Sequence, residues 1–305
     1  MTHLQTFPVA FACEHSTQVG EQLFGTAPRV DVWFLLEHTA PWGGQALDES
    51  SIPQPVKDRL NEYVAAIPNA RLQLMRQTPN RNYITFYVGL SKALDPVLYR
   101  FELPDYEALL DLDIAAIMRR DLAYEAHLTY EPLYLICTNG KRDACCAKFG
   151  LLTYRALVRT VGNAVWETTH VGGHRFAATM LCFPHGIYYG RIAPGEAKAI
   201  TTAYQQGRIL PDKLRGRSCY DKPAQMAEYF LRHETEIDDL AAFRLQDVLE
   251  VGAGQWRVTF ERRQDGRKFH VTVAPDGSID IYKNSGASQT VSVPQFVLAG
   301  YHSAT

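Results

Sequence analysis

No stretch of this chain approaches the roughly 20 consecutive apolar residues that span a bilayer, so a transmembrane helix is not expected. Neither sign of charge is in excess: 31 Lys and Arg stand against 33 Asp and Glu. That balance removes any global electrostatic case for a nucleic acid or an anionic membrane as partner. Residues 1–8 lack the basic leader and sustained apolar core of a secretory signal, and the expectation is a cytoplasmic protein. In that reducing compartment the six cysteines are expected to stay free rather than build a disulfide framework. A C-x-x-C motif is also missing, and with it the usual thiol pair of a disulfide oxidoreductase. What remains is an ordinary globular composition, 46% apolar and 21% charged over 305 residues, enough for one large core or two smaller ones.

Against that plain background two short stretches stand out, Cys137-Thr-Asn-Gly-Lys-Arg-Asp-Ala-Cys145-Cys146 and His170-Val-Gly-Gly-His174-Arg175. Singly, each cysteine or histidine would more often be a buried or hydrogen-bonded side chain. Together they supply thiolates and imidazoles, a mixed donor set suited to zinc, copper or iron. A structural zinc knuckle places its cysteines two to four residues apart. The gap from Cys137 is longer, C-x7-C to Cys145 or C-x8-C to Cys146. A longer loop suits a larger object such as a [2Fe-2S] cluster, in which histidines can replace two cysteines on one iron. The two glycines inside His-x3-His argue for a turn at a loop apex rather than one helical face.

These residues, with Gly25-Thr26-Ala27, Trp33 to Glu37 and Pro41-Trp42-Gly43 upstream, resemble the sucrase/ferredoxin-like family, whose studied members are thioredoxin-like ferredoxins with a bis-histidinyl [2Fe-2S] cluster. The resemblance implies Cys137 and Cys146 on one iron and His170 and His174 on the other, with Cys145 a spare thiol able to substitute. Asn139 stands where relatives often carry a histidine. The implied function is one-electron transfer to an unidentified redox partner protein, and family membership also raises the expectation of a homodimer. Imidazoles in place of thiolates raise the expected potential above that of all-cysteine ferredoxins, and a proton on the outer histidine nitrogen would couple to reduction. Lys141, Arg142 and Arg175 form a basic collar that either solvates the loops or steers an acidic partner. Gly140, Gly172 and Gly173 let the backbone turn close to the metal. Two other functions use the same residues: a Cys2His2 zinc site, and thiol redox chemistry through the vicinal Cys145 and Cys146. A sucrase activity would need two carboxylates across a scissile bond. Asp111 and Asp113 are the nearest approach to such a pair, and they are read as solvated residues of a helix.

The expected architecture is α/β: a thioredoxin-like ferredoxin core, a suggestion of tandem thioredoxin-like halves, and a small C-terminal antiparallel β appendage. Boundaries are placed at residues 1–128, 129–238 and 239–305. In the second of these, 132–136 reads as a strand ending at Cys137, 147–161 as a helix, 163–168 as a strand ending before His170, 177–183 and 186–192 as a hairpin, and 194–206 as a helix. The first part shows a similar rhythm. Strands at 30–37 and 71–76 flank a helix at 56–66, strands at 83–88 and 97–103 follow, and a helix at 105–120 is capped by Asp105. The appendage reads as strands at 255–261, 268–273 and 278–282, covering an apolar face or offering an edge to a partner.

Overall fold

Val32-Trp-Phe-Leu-Leu-Glu37 is an apolar run closed by one carboxylate, and such a run suits a strand covered on both faces. In the computed structural model, which describes residues 11–77 and 81–304, it is β1 (Val32–Glu37), buried at every position. Residues 1–8, read above for a leader, lie outside the described residues. A short helix, α1 (Ala12–Gln18), precedes β1. The helix α2 (Gln54–Ala66), with proline in its first turn, carries the chain to β2 (Ala70–Arg76), parallel to β1. Strands β3 (Ile84–Leu90) and β4 (Val97–Leu103) then extend the other edge, each antiparallel to its neighbour.

The expected helix at 105–120 is broken. Asp105 does cap a turn, accepting from the Ala108 N–H, but the turn is 3-10 and ends at Asp111. A separate helix, α3 (Ile114–Met118), begins at Asp113, whose side chain accepts from the Ala116 N–H. Asp113 is therefore a helix cap rather than a solvated face residue, because a short acceptor satisfies an orphan N–H better than it satisfies a helix interior.

The second half repeats the plan: β5 (Leu133–Cys137), α4 (Leu151–Val161), β6 (Val165–Thr168) parallel to β5, then antiparallel β7 (Met180–Phe183) and β8 (Ile187–Tyr189), and α5 (Ala197–Gln205). Strand β9 (Leu214–Arg217) adds an outer edge. The full order is β4, β3, β1, β2, β6, β5, β7, β8, β9. Each half thus runs fourth, third, first, second, and the halves meet where β2 pairs antiparallel with β6, Met75 opposite Thr168 and Arg76 opposite Glu167. The tandem expectation holds at the level of topology. Because side chains alternate along a strand, Trp33 and Leu35 of β1 and Leu133, Leu135 and Cys137 of β5 share one core cluster, while Phe34 and Tyr134 belong to cores on the opposite faces. Trp33 meets Phe183 edge-on at 5.2 Å, so the sheet curls and encloses that shared core.

After β9 comes α6 (Lys222–Thr235), which the sequence reading missed. A second sheet packs on it: β10 (Phe243–Gly252), β11 (Gln255–Arg262), β12 (Lys268–Tyr282) and β13 (Thr290–Ala304), all antiparallel. The expected strands at 268–273 and 278–282 are one strand, β12, with its register shifted by a bulge between Pro275 and Ser278.

Candidate metal centre

Cys137 is the last residue of β5, and period-two alternation turns its side chain into the shared core with Leu133 and Leu135. The loop that follows is tied down locally. Asn139 accepts at its carbonyl from the Arg142 and Asp143 amides, and its side-chain amide donates to the Gly43 carbonyl at 3.1 Å. Asn139 is thus a tether between the two halves. The chain re-enters helix at a π-helical turn, Cys146–Gly150, a wide turn of the kind often found at functional sites. The helix expected from 147 therefore becomes regular only at Leu151. A Cβ on Gly150 would lie 2.0 Å from the Cys137 carbonyl oxygen, so glycine is what lets this turn seat against the end of β5.

From the other side, β6 delivers His170. Thr169 donates its amide to the Leu74 carbonyl, and Arg71 and Gln73 donate to the carbonyl of His170 at 2.8 and 3.4 Å. Gly172 and Gly173 follow with φ of 94° and 71°, left-handed values that support the expected tight turn. Arg215 of β9, almost fully buried, donates to the Gly172 carbonyl at 3.0 Å and to the Thr26 carbonyl at 2.6 Å. Burial pushes its guanidinium down to about 10.

The structure brings Cys137, Cys146 and His170 together: one donor atom from each lies within 4.8 Å of the others. His170 Nδ1 sits 4.0 Å from Cys137 Sγ and 3.8 Å from Cys146 Sγ. Contact with the Cys146 S–H, and then with His170, holds the Cys137 thiol well below its ordinary range, while Cys137 and burial push Cys146 up.

His174 stands outside this tight group, its ring 5.3 Å from that of His170. Its Nε2 lies 2.8 Å from the Lys283 carbonyl oxygen and 3.4 Å from Asp143 Oδ2. A carbonyl can only accept, so Nε2 carries the proton and Nδ1 keeps its lone pair. That Nδ1 is buried and has no hydrogen-bond partner among the described residues. Burial also holds the imidazole below its ordinary value, favouring the neutral form that metal ligation requires. Two buried thiols, one imidazole nitrogen between them and a second, orphaned one nearby fit a soft or borderline metal centre.

Three expectations are corrected here. Cys145 is joined to Cys13 in a disulfide, so the six thiols are not all free and Cys145 is not available as a substitute ligand. The vicinal Cys145 and Cys146 are accordingly no dithiol. Arg175 does not belong to an open basic collar: it donates to both carboxylate oxygens of buried Glu21 at 2.6 and 2.9 Å. Lys141 and Arg142 are exposed and form no ion pair among the described residues. Cys182 and Cys219 are unpaired and buried or half-buried, and burial raises both thiols, Cys219 to about 11.

Sequence reading also missed Asp143, Ser285 and Lys283. Asp143 had a local signal, since Asp in a Gly-Lys-Arg-Asp turn readily accepts from an amide two residues on, here Cys145 at 2.9 Å. Ser285 and Lys283 had none. They arrive from the loop between β12 and β13, more than 100 residues away.

Fold and site together define a protein of two thioredoxin-like α/β halves in one curled sheet, with a cysteine and histidine candidate metal site at the strand ends of the second half. The chain belongs to the sucrase/ferredoxin-like family, whose model matches residues 23–216. α6 and the C-terminal sheet lie beyond that match. "Altered inheritance of mitochondria protein 32" of Meyerozyma guilliermondii is 34% identical over 111 residues, 33% of this chain. The chain spans 39% of that relative's length. No solved structure matches. Among the described residues no helix is long and apolar enough to cross a membrane.

Proposed function

We propose that this protein is a one-electron carrier that holds a [2Fe-2S] cluster through Cys137, Cys146, His170 and His174. The observation that carries the reading is the gathering of both thiols around His170, beside a second histidine whose buried Nδ1 has no partner among the described residues. When bound, such a cluster supplies a redox centre that takes up one electron. The chain supplies the rest. The thiols give up their protons to bind, the histidines ligate in neutral form, and the buried walls of β5 and the Cys146–Gly150 turn keep water from the thiol side. Exposed Lys141 and Arg142 face solvent on the same loop and would favour an acidic partner protein. We place the protein in the cytoplasm, and we propose neither nucleic acid nor membrane as partner. We also propose a homodimer, on family membership alone.

A zinc site is the second reading, favoured by one observation: three donors already converge as around a single tetrahedral ion. Absorption spectra with iron and sulfide assays on freshly purified, iron-replete protein separate the two. The expected outcome is a reddish-brown protein with about two irons and two labile sulfides per chain. Stoichiometric zinc in a colourless protein would overturn it.

A further inference from the structure

Asp143 is buried, yet it accepts three hydrogen bonds from two distant parts of the chain. Its Oδ1 takes the Cys145 amide at 2.9 Å and the Ser285 hydroxyl at 2.8 Å, and its Oδ2 takes the Ser285 amide at 2.9 Å. Oδ2 also lies 3.4 Å from His174 Nε2. Ser285 Oγ, having donated its proton to Asp143, accepts from the Ala12 amide at 3.2 Å, next to the Cys13–Cys145 disulfide. The turn between β12 and β13 is thus docked by two hydrogen bonds onto the loop that bears Cys146. Docked there, it places the Lys283 carbonyl 2.8 Å from His174 Nε2.

Neither Lys283 nor Ser285 belongs to the region matched by the family model, which ends at residue 216. Their link to the site is geometric. A neutral imidazole carries one proton, and whichever nitrogen finds an acceptor keeps it. Among the described residues only Nε2 has an acceptor, so the other nitrogen is left as the buried, unpartnered Nδ1.

We propose that Asp143 and Ser285 are positioning residues for His174: by clamping the 283–287 turn they fix the carbonyl that selects its tautomer and leaves Nδ1 as the ligand atom. The ligand role of His174 rests on the metal-centre reading above; the clamp and the tautomer do not. Outer partners of this kind govern metal affinity by about 10- to 100-fold.

The test uses the full chain as wild type, Ser285→Ala, Asp143→Ala and Asp143→Asn, the last keeping side-chain size and an acceptor oxygen if the alanine variant misfolds. Nitrogen-15 imidazole spectra of the metal-free proteins report the His174 tautomer. Iron release to a chelator from the loaded proteins reports its hold on the metal. The expected result is a single Nε2–H tautomer in wild type, mixed tautomers in Ser285→Ala and Asp143→Ala, a smaller change in Asp143→Asn, and iron release about tenfold faster in the two alanine variants. An unchanged tautomer in every variant would overturn the proposal, and so would an altered tautomer with unchanged iron release. Wild-type protein that takes up no iron, with the tautomer still lost in the variants, would remove the cluster reading while upholding the clamp.

Discussion

At the scale of single residues, Cys137 and Cys146, with eight residues between them, have different neighbours from Cys145, which lies among those eight. Cys137 and Cys146 face the shared core and His170, whereas Cys145 turns away to Cys13. Replacing Cys137 or Cys146 by serine is expected to abolish the visible spectrum of the iron-loaded protein, and Cys145→Ser to leave it largely intact. Loss of the spectrum in Cys145→Ser alone would mean that the wrong thiol has been assigned. Gly150→Ala tests the seat of the π-helical turn. Its Cβ would collide with the Cys137 carbonyl, and the expected cost is about 1–3 kcal/mol in denaturant unfolding of the metal-free protein. A midpoint equal to wild type would show that the turn can shift without loss. The thiol and histidine positions were legible in the sequence because their chemistry is rare and their spacing short. Asp143 carried a turn signal but not its role at the site, since an aspartate in a polar loop has many ordinary uses, and Arg175 was misread because its partner Glu21 lies 154 residues away.

At the scale of elements, α6 is the piece that joins the curled sheet to the C-terminal sheet. Its Glu228 is buried between Arg217 of β9, at 2.9 Å, and Arg232 of the next helical turn, also at 2.9 Å. Burial alone would raise the Glu228 carboxyl, but the two guanidinium groups hold it below its ordinary value. A carboxylate depressed in the folded state contributes stability that is present above its unfolded pKa and is lost as pH falls through the lower, folded one. Glu228→Ala strands two buried cations and is expected to cost about 3–5 kcal/mol at neutral pH, read from urea unfolding. A loss under about 1 kcal/mol would place the network among exposed ion pairs. The parallel-strand and helix pattern of both halves was legible, because continuous apolar runs and helical spacing are local properties. The helix at 105–120 failed where Asp113 offered its own carboxylate to a new first turn.

At the scale of the whole molecule, chain segments from both ends close over one loop. The disulfide from Cys13 to Cys145 spans 132 residues and pins α1 beside the 174–176 turn and β12. Peptide mapping without reduction is expected to recover Cys13 linked to Cys145, with the other four cysteines labelled by an alkylating reagent after metal removal. Cys13→Ser is expected to lower stability by about 2–5 kcal/mol, as for loss of a long-loop cross-link. Full labelling of all six cysteines in the native protein would contradict the tether.

The sequence by itself determined the chemistry on offer and much of the local plan: which residues can ligate a metal, where the strands and helices of each half run, and a similar rhythm in the two halves. Those features depend on residue type and on spacings of a few positions, which the chain states directly. Only the tertiary structure decided that the two rhythms join edge to edge through β2 and β6, that Cys145 leaves the site for Cys13, and that a carbonyl from the C-terminal sheet holds His174. Each is a contact between segments far apart in the chain. Such contacts are chosen by which faces remain to be buried and which polar groups remain to be satisfied once the halves have folded, and no local pattern records them.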